Sequence, residues 1–112
     1  MNGALLREIH AAYEREFWPM RGTFLLGLLA CPLTALAIHR GVVDKSDPRL
    51  ELDDTSNPAF IWACGEFGED WVMGFMDGFD EHGKNNVEPA YLAGHEFGEL
   101  ALEQLFPREF PF

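Results

Sequence analysis

The chain has 112 residues, a formal net charge of -11 and 47% hydrophobic residues. This length predicts one domain, residues 1–112, and the apolar fraction is typical of a chain with a packed core rather than a disordered one. The charge disfavours nucleic acids and anionic membrane surfaces as partners, and it suits basic proteins or cations.

The first part of the chain predicts a helix over residues 4–17, because its apolar side chains fall on one face. Pro19 disfavours helical geometry in the residue before it, so the helix should end there. Residues 23–38 carry no charge. A membrane span needs about 20 apolar residues and this run is shorter and contains Pro32, so we expect a buried segment and no membrane span.

Within that segment, Cys31 and Pro32 open a second helix over residues 33–40, which Gly41 ends as a C-terminal cap. Residues 23–30 fit either an apolar helix or an extended piece, since periodicity does not distinguish the two. Cys31 is a candidate reactive thiol, because thiolates are stabilised at helix N-termini. The alternative, which we prefer, is that it is a small core residue.

The N-terminus lacks the long apolar core of a signal peptide, which predicts a cytoplasmic protein with reduced thiols. Residues 42–57 are polar and predict a loop. Asn57 and Pro58 form a helix start, because asparagine is a favoured cap and proline a favoured first helical residue. We expect that helix to run to about residue 64, where Gly65 and Gly68 end it.

The central segment, residues 69–82, predicts a helix with one broad apolar face and two glycines, Gly74 and Gly78, four residues apart. Its pattern of aromatic-x-x-Gly-x-x-x-Gly recurs in residues 91–98. Because helix glycines are destabilising unless something requires them, we expect two glycine-striped helices, about 69–82 and 90–106, to pack closely. The predicted fold is therefore a single compact all-α domain of four to five short helices, with this pair at its centre.

Asp70, Asp77 and Glu81 fall on one stripe of the predicted central helix, in a region of the sequence without a lysine or arginine. Like charges at this spacing repel, so a basic partner or a cation would relieve them. We take these three acids as the candidate partner-binding residues of an acidic, non-catalytic module that binds a basic protein or self-associates, for example as a homodimer. We expect neutralising Asp77 and Glu81 to leave stability level or raise it.

A second hypothesis is a small carboxylate-metal enzyme or metal-binding protein. Asp77, Glu81, His95 and Glu99 would be its ligands if the two glycine-striped helices pack together, a donor set that suits Mg, Mn or Fe. Otherwise we expect no cofactor, because the sequence contains none of the common nucleotide-binding or hydrolase motifs.

A third hypothesis is a DNA-binding helix-turn-helix over residues 59–79. We disfavour it because the second helix carries acids where base and phosphate contacts require basic or amide side chains.

Overall fold

A computed structural model describes residues 2–16, 18–19, 25–26, 29–52 and 54–105. Its described residues are mainly helical, which confirms the all-α class. No helix among them combines the length and apolar character that crossing a membrane requires. The tail, residues 107–112, lies outside the described residues. The α-helices are α1 (Asn2–Glu16), α2 (Pro32–His39), α3 (Pro58–Phe67), α4 (Glu69–Phe79) and α5 (Pro89–Leu105).

Three extended pairs of residues lie between α1 and α2. The middle one in space, β3 (Leu29–Ala30), is parallel to β1 (Trp18–Pro19) and antiparallel to β2 (Leu25–Leu26). The sequence left open whether residues 23–30 are helical or extended. Where the structure describes them, their backbone is extended. Six paired residues do not alter the all-α class.

The contacts of the chain divide it into two units, Met1–Ala63 and Cys64–Phe112. The single-domain organisation of the chain stays a prediction.

The first unit packs α1 against α2. Leu5 and Ile9 are buried on α1, and Leu33 and Leu36 are buried on α2. At the surface Arg40 donates from Nε and Nη2 to the two carboxylate oxygens of Glu8, at 2.7 and 2.8 Å. This hydrogen-bonded guanidinium holds the pKa of Glu8 below its ordinary value.

The loop after α2 contains a 3₁₀ turn, Pro48–Glu51, within the segment predicted as a loop. Asn57 then caps α3 as predicted, with its side-chain oxygen accepting from the amide of Ala59 at 2.9 Å. Its Nδ2 also donates to the carbonyls of Leu50 and Leu52, at 2.9 and 2.8 Å. All its hydrogen-bonding groups are used although the residue is fully buried, so one side chain joins the turn to the helix.

Two helix ends differ from the prediction. Helix α3 runs through Gly65 and ends before Gly68, whose φ of 92° is left-handed. One glycine costs a helix only about 1 kcal/mol, and the remaining residues of this apolar segment outweigh it. Helix α4 ends at Phe79 rather than at residue 82.

In the second unit α4 and α5 pack backbone against backbone at four glycines. A Cβ on Gly74 would lie 2.0 Å from the carbonyl oxygen of Tyr91, and one on Gly94 would lie 2.0 Å from that of Trp71. Gly78 meets the carbonyl of His95 in the same way, at 2.2 Å. The partners advance in the same direction on both helices, so α4 and α5 are parallel.

A parallel pair requires the connecting segment to return along the helices. Residues 80–88 do so, without regular secondary structure after the turn that ends α4.

Aromatic side chains fill the space beside the glycine contact. Phe75 lies 5.8 Å from Phe97 and 5.9 Å from Phe79, measured between ring centroids.

The end of α4 is a Schellman motif. The amide of His82 donates to the carbonyl of Asp77 at 2.7 Å, and that of Glu81 donates to Gly78 at 3.3 Å. The residue at the left-handed position is Glu81, with a φ of 62°. Glycine normally occupies this position, as Gly41 does at the end of α2.

Candidate functional site

Asp77 is one of the predicted site residues. Its carboxylate contacts the returning segment, residues 80–88, which connects α4 to α5. The hydroxyl of Tyr91 donates to Asp77 Oδ2 at 2.5 Å, and the Asn85 side-chain amide donates to the same oxygen at 3.3 Å. His82 Nδ1 lies 3.6 Å from the other oxygen, Oδ1. Burial of the phenol and its bond to Asp77 raise the pKa of Tyr91. Asp77, predicted to bind a partner or a metal, therefore has partners within the chain.

Asp70 and Glu81, the other two acids of the predicted stripe, are both exposed. Asp70 lies in the first turn of α4, where the positive end of the helix dipole stabilises a carboxylate. Glu81 lies beyond the end of the helix on a left-handed backbone, so it does not continue the line of Asp70 and Asp77. The three acids consequently do not form one helical stripe.

His95 has a buried ring with two different surroundings. Its Nε2 lies 2.8 Å from the carbonyl oxygen of His82, so Nε2 carries the hydrogen and donates it to the returning segment. Its Nδ1 has no hydrogen-bond partner and is shielded from solvent. Glu99 Oε1 lies 3.4 Å from Nδ1, close enough for an ion pair with a protonated ring but outside hydrogen-bond geometry.

A pocket of about 540 Å³ opens at the C-terminal end of α4, beside His95. Its wall combines carboxylates, imidazoles, one lysine and one apolar side chain. Because the carbonyl ends of helices carry partial negative charge, this is the end of α4 that favours a cation. The lining residues are Gly78, Glu81, His82, Gly83, Lys84, His95, Glu99 and Leu102.

The four residues of the metal hypothesis are only partly brought together. Glu81, His95 and Glu99 line the pocket, whereas Asp77 does not and is bonded to Tyr91. In the part of the chain that the structure describes, no group of three or more His, Cys, Asp or Glu side chains could hold a metal ion. The geometry gives the metal hypothesis no support.

Cys31, the candidate reactive thiol, precedes α2 as predicted and is buried. Its sulfur lies 3.5 Å from the hydroxyl of Thr34. Burial is the larger cause of a strongly raised pKa at Tyr13, and nearby Cys31 adds to it. Cys64 is partly exposed, and burial raises the pKa of its thiol. The reactivity of Cys31 stays a prediction.

The outward face of α5 is an acidic surface, of which the sequence analysis named only Glu99, as a metal ligand. Glu96, Glu99 and Glu103 are exposed and follow the spacing of one helix face. Leu92 and Leu100 are exposed on the same face, at 36% and 37%. We call these five residues the α5 face. The spacing of the acids was a usable signal, since it needs only the helix period.

Charge in this unit is one-sided. Residues 64–105 contain ten Asp or Glu residues and a single lysine, Lys84. Eight of those ten acids are exposed. Glu69, Asp70, Glu96 and Glu103 have no ion-pair partner within the described ranges.

Comparison of the chain with protein-family models, with curated proteins and with solved structures gives no match.

Proposed function

We propose that this chain is a non-catalytic binding module whose α5 face receives a basic segment of another protein. The observation that carries the proposal is the excess of exposed acids on α4 and α5, with one lysine among residues 64–105. Opposite charges across an interface speed encounter and select the partner. The two leucines of the α5 face add apolar contact area among the glutamates.

Self-association through the same face receives less support. Two copies would place Glu96, Glu99 and Glu103 near like charges, and such juxtaposition costs several kcal/mol at an interface. A basic amphipathic helix or extended segment meets the same face without that cost. We therefore assign the partner a net positive charge and at least one apolar side chain.

The test is fluorescence anisotropy with a labelled peptide that alternates lysine and leucine positions along one helix face. We expect binding at 50 mM salt that weakens strongly at 300 mM, because screening shortens the reach of exposed charges. An acidic peptide of the same length is the negative control. Failure of the full chain to bind the lysine peptide at low salt would refute the proposal.

Matched variants locate the face. Replacing Glu96 and Glu103 together by glutamine should weaken binding about two- to thirtyfold, given roughly 0.2–1 kcal/mol for each exposed pair. Glu51→Gln removes one exposed charge from the first unit and should leave binding nearly unchanged. An equal loss per charge for Glu51→Gln would show that net charge alone, and no particular face, holds the peptide.

A further inference from the structure

The pocket beside α5 contains a buried acceptor, Nδ1 of His95, that lacks a donor. Because Nε2 of His95 donates to the carbonyl of His82, the neutral ring presents a lone pair at Nδ1. The nearest polar atom is Glu99 Oε1, 3.4 Å away, and an ionised carboxylate is also an acceptor only. His95 is 3% exposed, and its Nδ1 is shielded from bulk solvent.

We infer that this pocket binds the guanidinium of one arginine from the basic partner, an inference that rests on the proposed function. A guanidinium has several N–H donors in one plane and bonds two neighbouring acceptors at once, which a lysine ammonium does less well. Nδ1 of His95 and the carboxylate of Glu99 are such a pair. The carboxylate is 60% exposed, so a change of its rotamer can open the way to Nδ1.

The rest of the wall fits the same group. Glu81 adds a second carboxylate, and the C-terminal end of α4 adds the negative end of a helix dipole. Leu102 gives the aliphatic stem of an arginine an apolar surface to lie on. Lys84 also lines the pocket, and its like charge opposes a bound cation, whereas the two carboxylates favour one.

The experiment compares two versions of the cationic peptide, one with arginine and one with lysine at every basic position. We expect the arginine version to bind about tenfold more tightly, as a bidentate charged bond adds roughly 1.4 kcal/mol. Glu99→Gln should bring the affinity ratio of the two peptides close to one. Glu103→Gln, an equal change of charge one turn along α5 and outside the pocket wall, should leave the ratio unchanged.

A readout on the unaltered chain accompanies the variants. The ¹⁵N signal of His95 Nδ1 should move on addition of the arginine peptide and should not move on addition of the lysine peptide. A protonated Nδ1 in the free chain would overturn the inference, because the ring would then be a donor to Glu99.

The two proposals fail separately. Equal affinity for both peptides, or a ratio that Glu99→Gln does not change, overturns the arginine pocket and leaves the acidic face intact. Absence of binding to either peptide overturns both.

Discussion

The hydroxyl of Tyr91 on α5 donates to the carboxylate of Asp77 on α4 at 2.5 Å, and the same hydroxyl accepts from the backbone amide of Asn85 at 3.0 Å. One phenol therefore joins both helices of the parallel pair to the segment that connects them. His95 makes a second such link, since its Nε2 donates to the carbonyl of His82. Two side chains of α5 thus hold the returning segment along the helices.

Tyr91→Phe should lower the melting temperature by several degrees, because Asp77 and the amide of Asn85 lose their partner in a partly buried place. Asp77→Asn keeps an acceptor for the hydroxyl and should lower it less. This reverses the expectation that neutralising Asp77 relieves repulsion. Circular dichroism melts of the two variants check the order, and a melting temperature for Asp77→Asn at or above that of the unaltered chain would contradict it.

Gly94→Ala should destabilise the protein by about 3 kcal/mol, since overpacking against a rigid neighbour is among the costly core changes. The new methyl would lie 2.0 Å from the carbonyl oxygen of Trp71. Gly65→Ala is the matched control, because that helical glycine has open space where its Cβ would be. It should stabilise by roughly 1 kcal/mol. Urea unfolding measures both, and destabilisation of similar size in the two variants would refute the packing argument.

Glu81→Gly should stabilise the protein by about 1 kcal/mol, because a left-handed backbone costs a residue with a Cβ that amount. The converse change at the equivalent position of α2, Gly41→Ala, should destabilise by a similar amount. Gly41 has nothing within 4 Å of its Cβ position, so φ alone decides its result. Thermal unfolding of both variants tests whether the two substitutions change stability in opposite directions. A loss of stability in Glu81→Gly would show that the side chain of Glu81 contributes more than the backbone strain costs.

The Glu8–Arg40 pair predicts a pH dependence of stability. Its hydrogen bonds lower the pKa of Glu8 in the folded state, so the folded chain binds fewer protons than the unfolded chain in the acid range. The stabilisation is present above the ordinary pKa of about 4.5 and is lost as pH falls through the lowered value. Because the pair is partly exposed, it amounts to no more than about 1 kcal/mol.

Urea unfolding between pH 6 and pH 3 checks this, with Glu8→Gln as the comparison. The stability of the variant should fall less over that interval than that of the unaltered chain. Parallel pH curves for the two proteins would mean that the pair contributes nothing measurable.

Sequence periodicity predicted most helices because each has a strong local signal. Asn57 and Pro58 begin α3, and Gly41 ends α2, through caps that need no tertiary information. The end of α4 was wrong because its left-handed residue is a glutamate. The nearest glycine, Gly83, lies two residues later, and the predicted end of the helix was placed directly before it.

The candidate site was harder to predict, because it depends on the direction of the helix pair. A periodic pattern reports which residues share a face, yet it does not report whether α4 and α5 run parallel or antiparallel. The parallel arrangement sends residues 80–88 back along the pair and places Tyr91 beside Asp77. It also brings Glu81 and His95 to one pocket, which no local signal in the sequence contains.

The glycine contact also determines the register of the pair. At Gly74, Gly78, Gly94 and Gly98 the direction in which a Cβ would point leads to a carbonyl oxygen 2.0–2.3 Å beyond that position. The atom that lies there in glycine is a hydrogen on Cα, so each contact has the form of a weak Cα–H···O bond, worth about 0.5–1 kcal/mol. Sliding one helix by a single residue would rotate every glycine away from its oxygen and bring bulky side chains against the opposing backbone. The glycine contacts thus oppose such a shift, and they hold the acids and the pocket at fixed positions along α5.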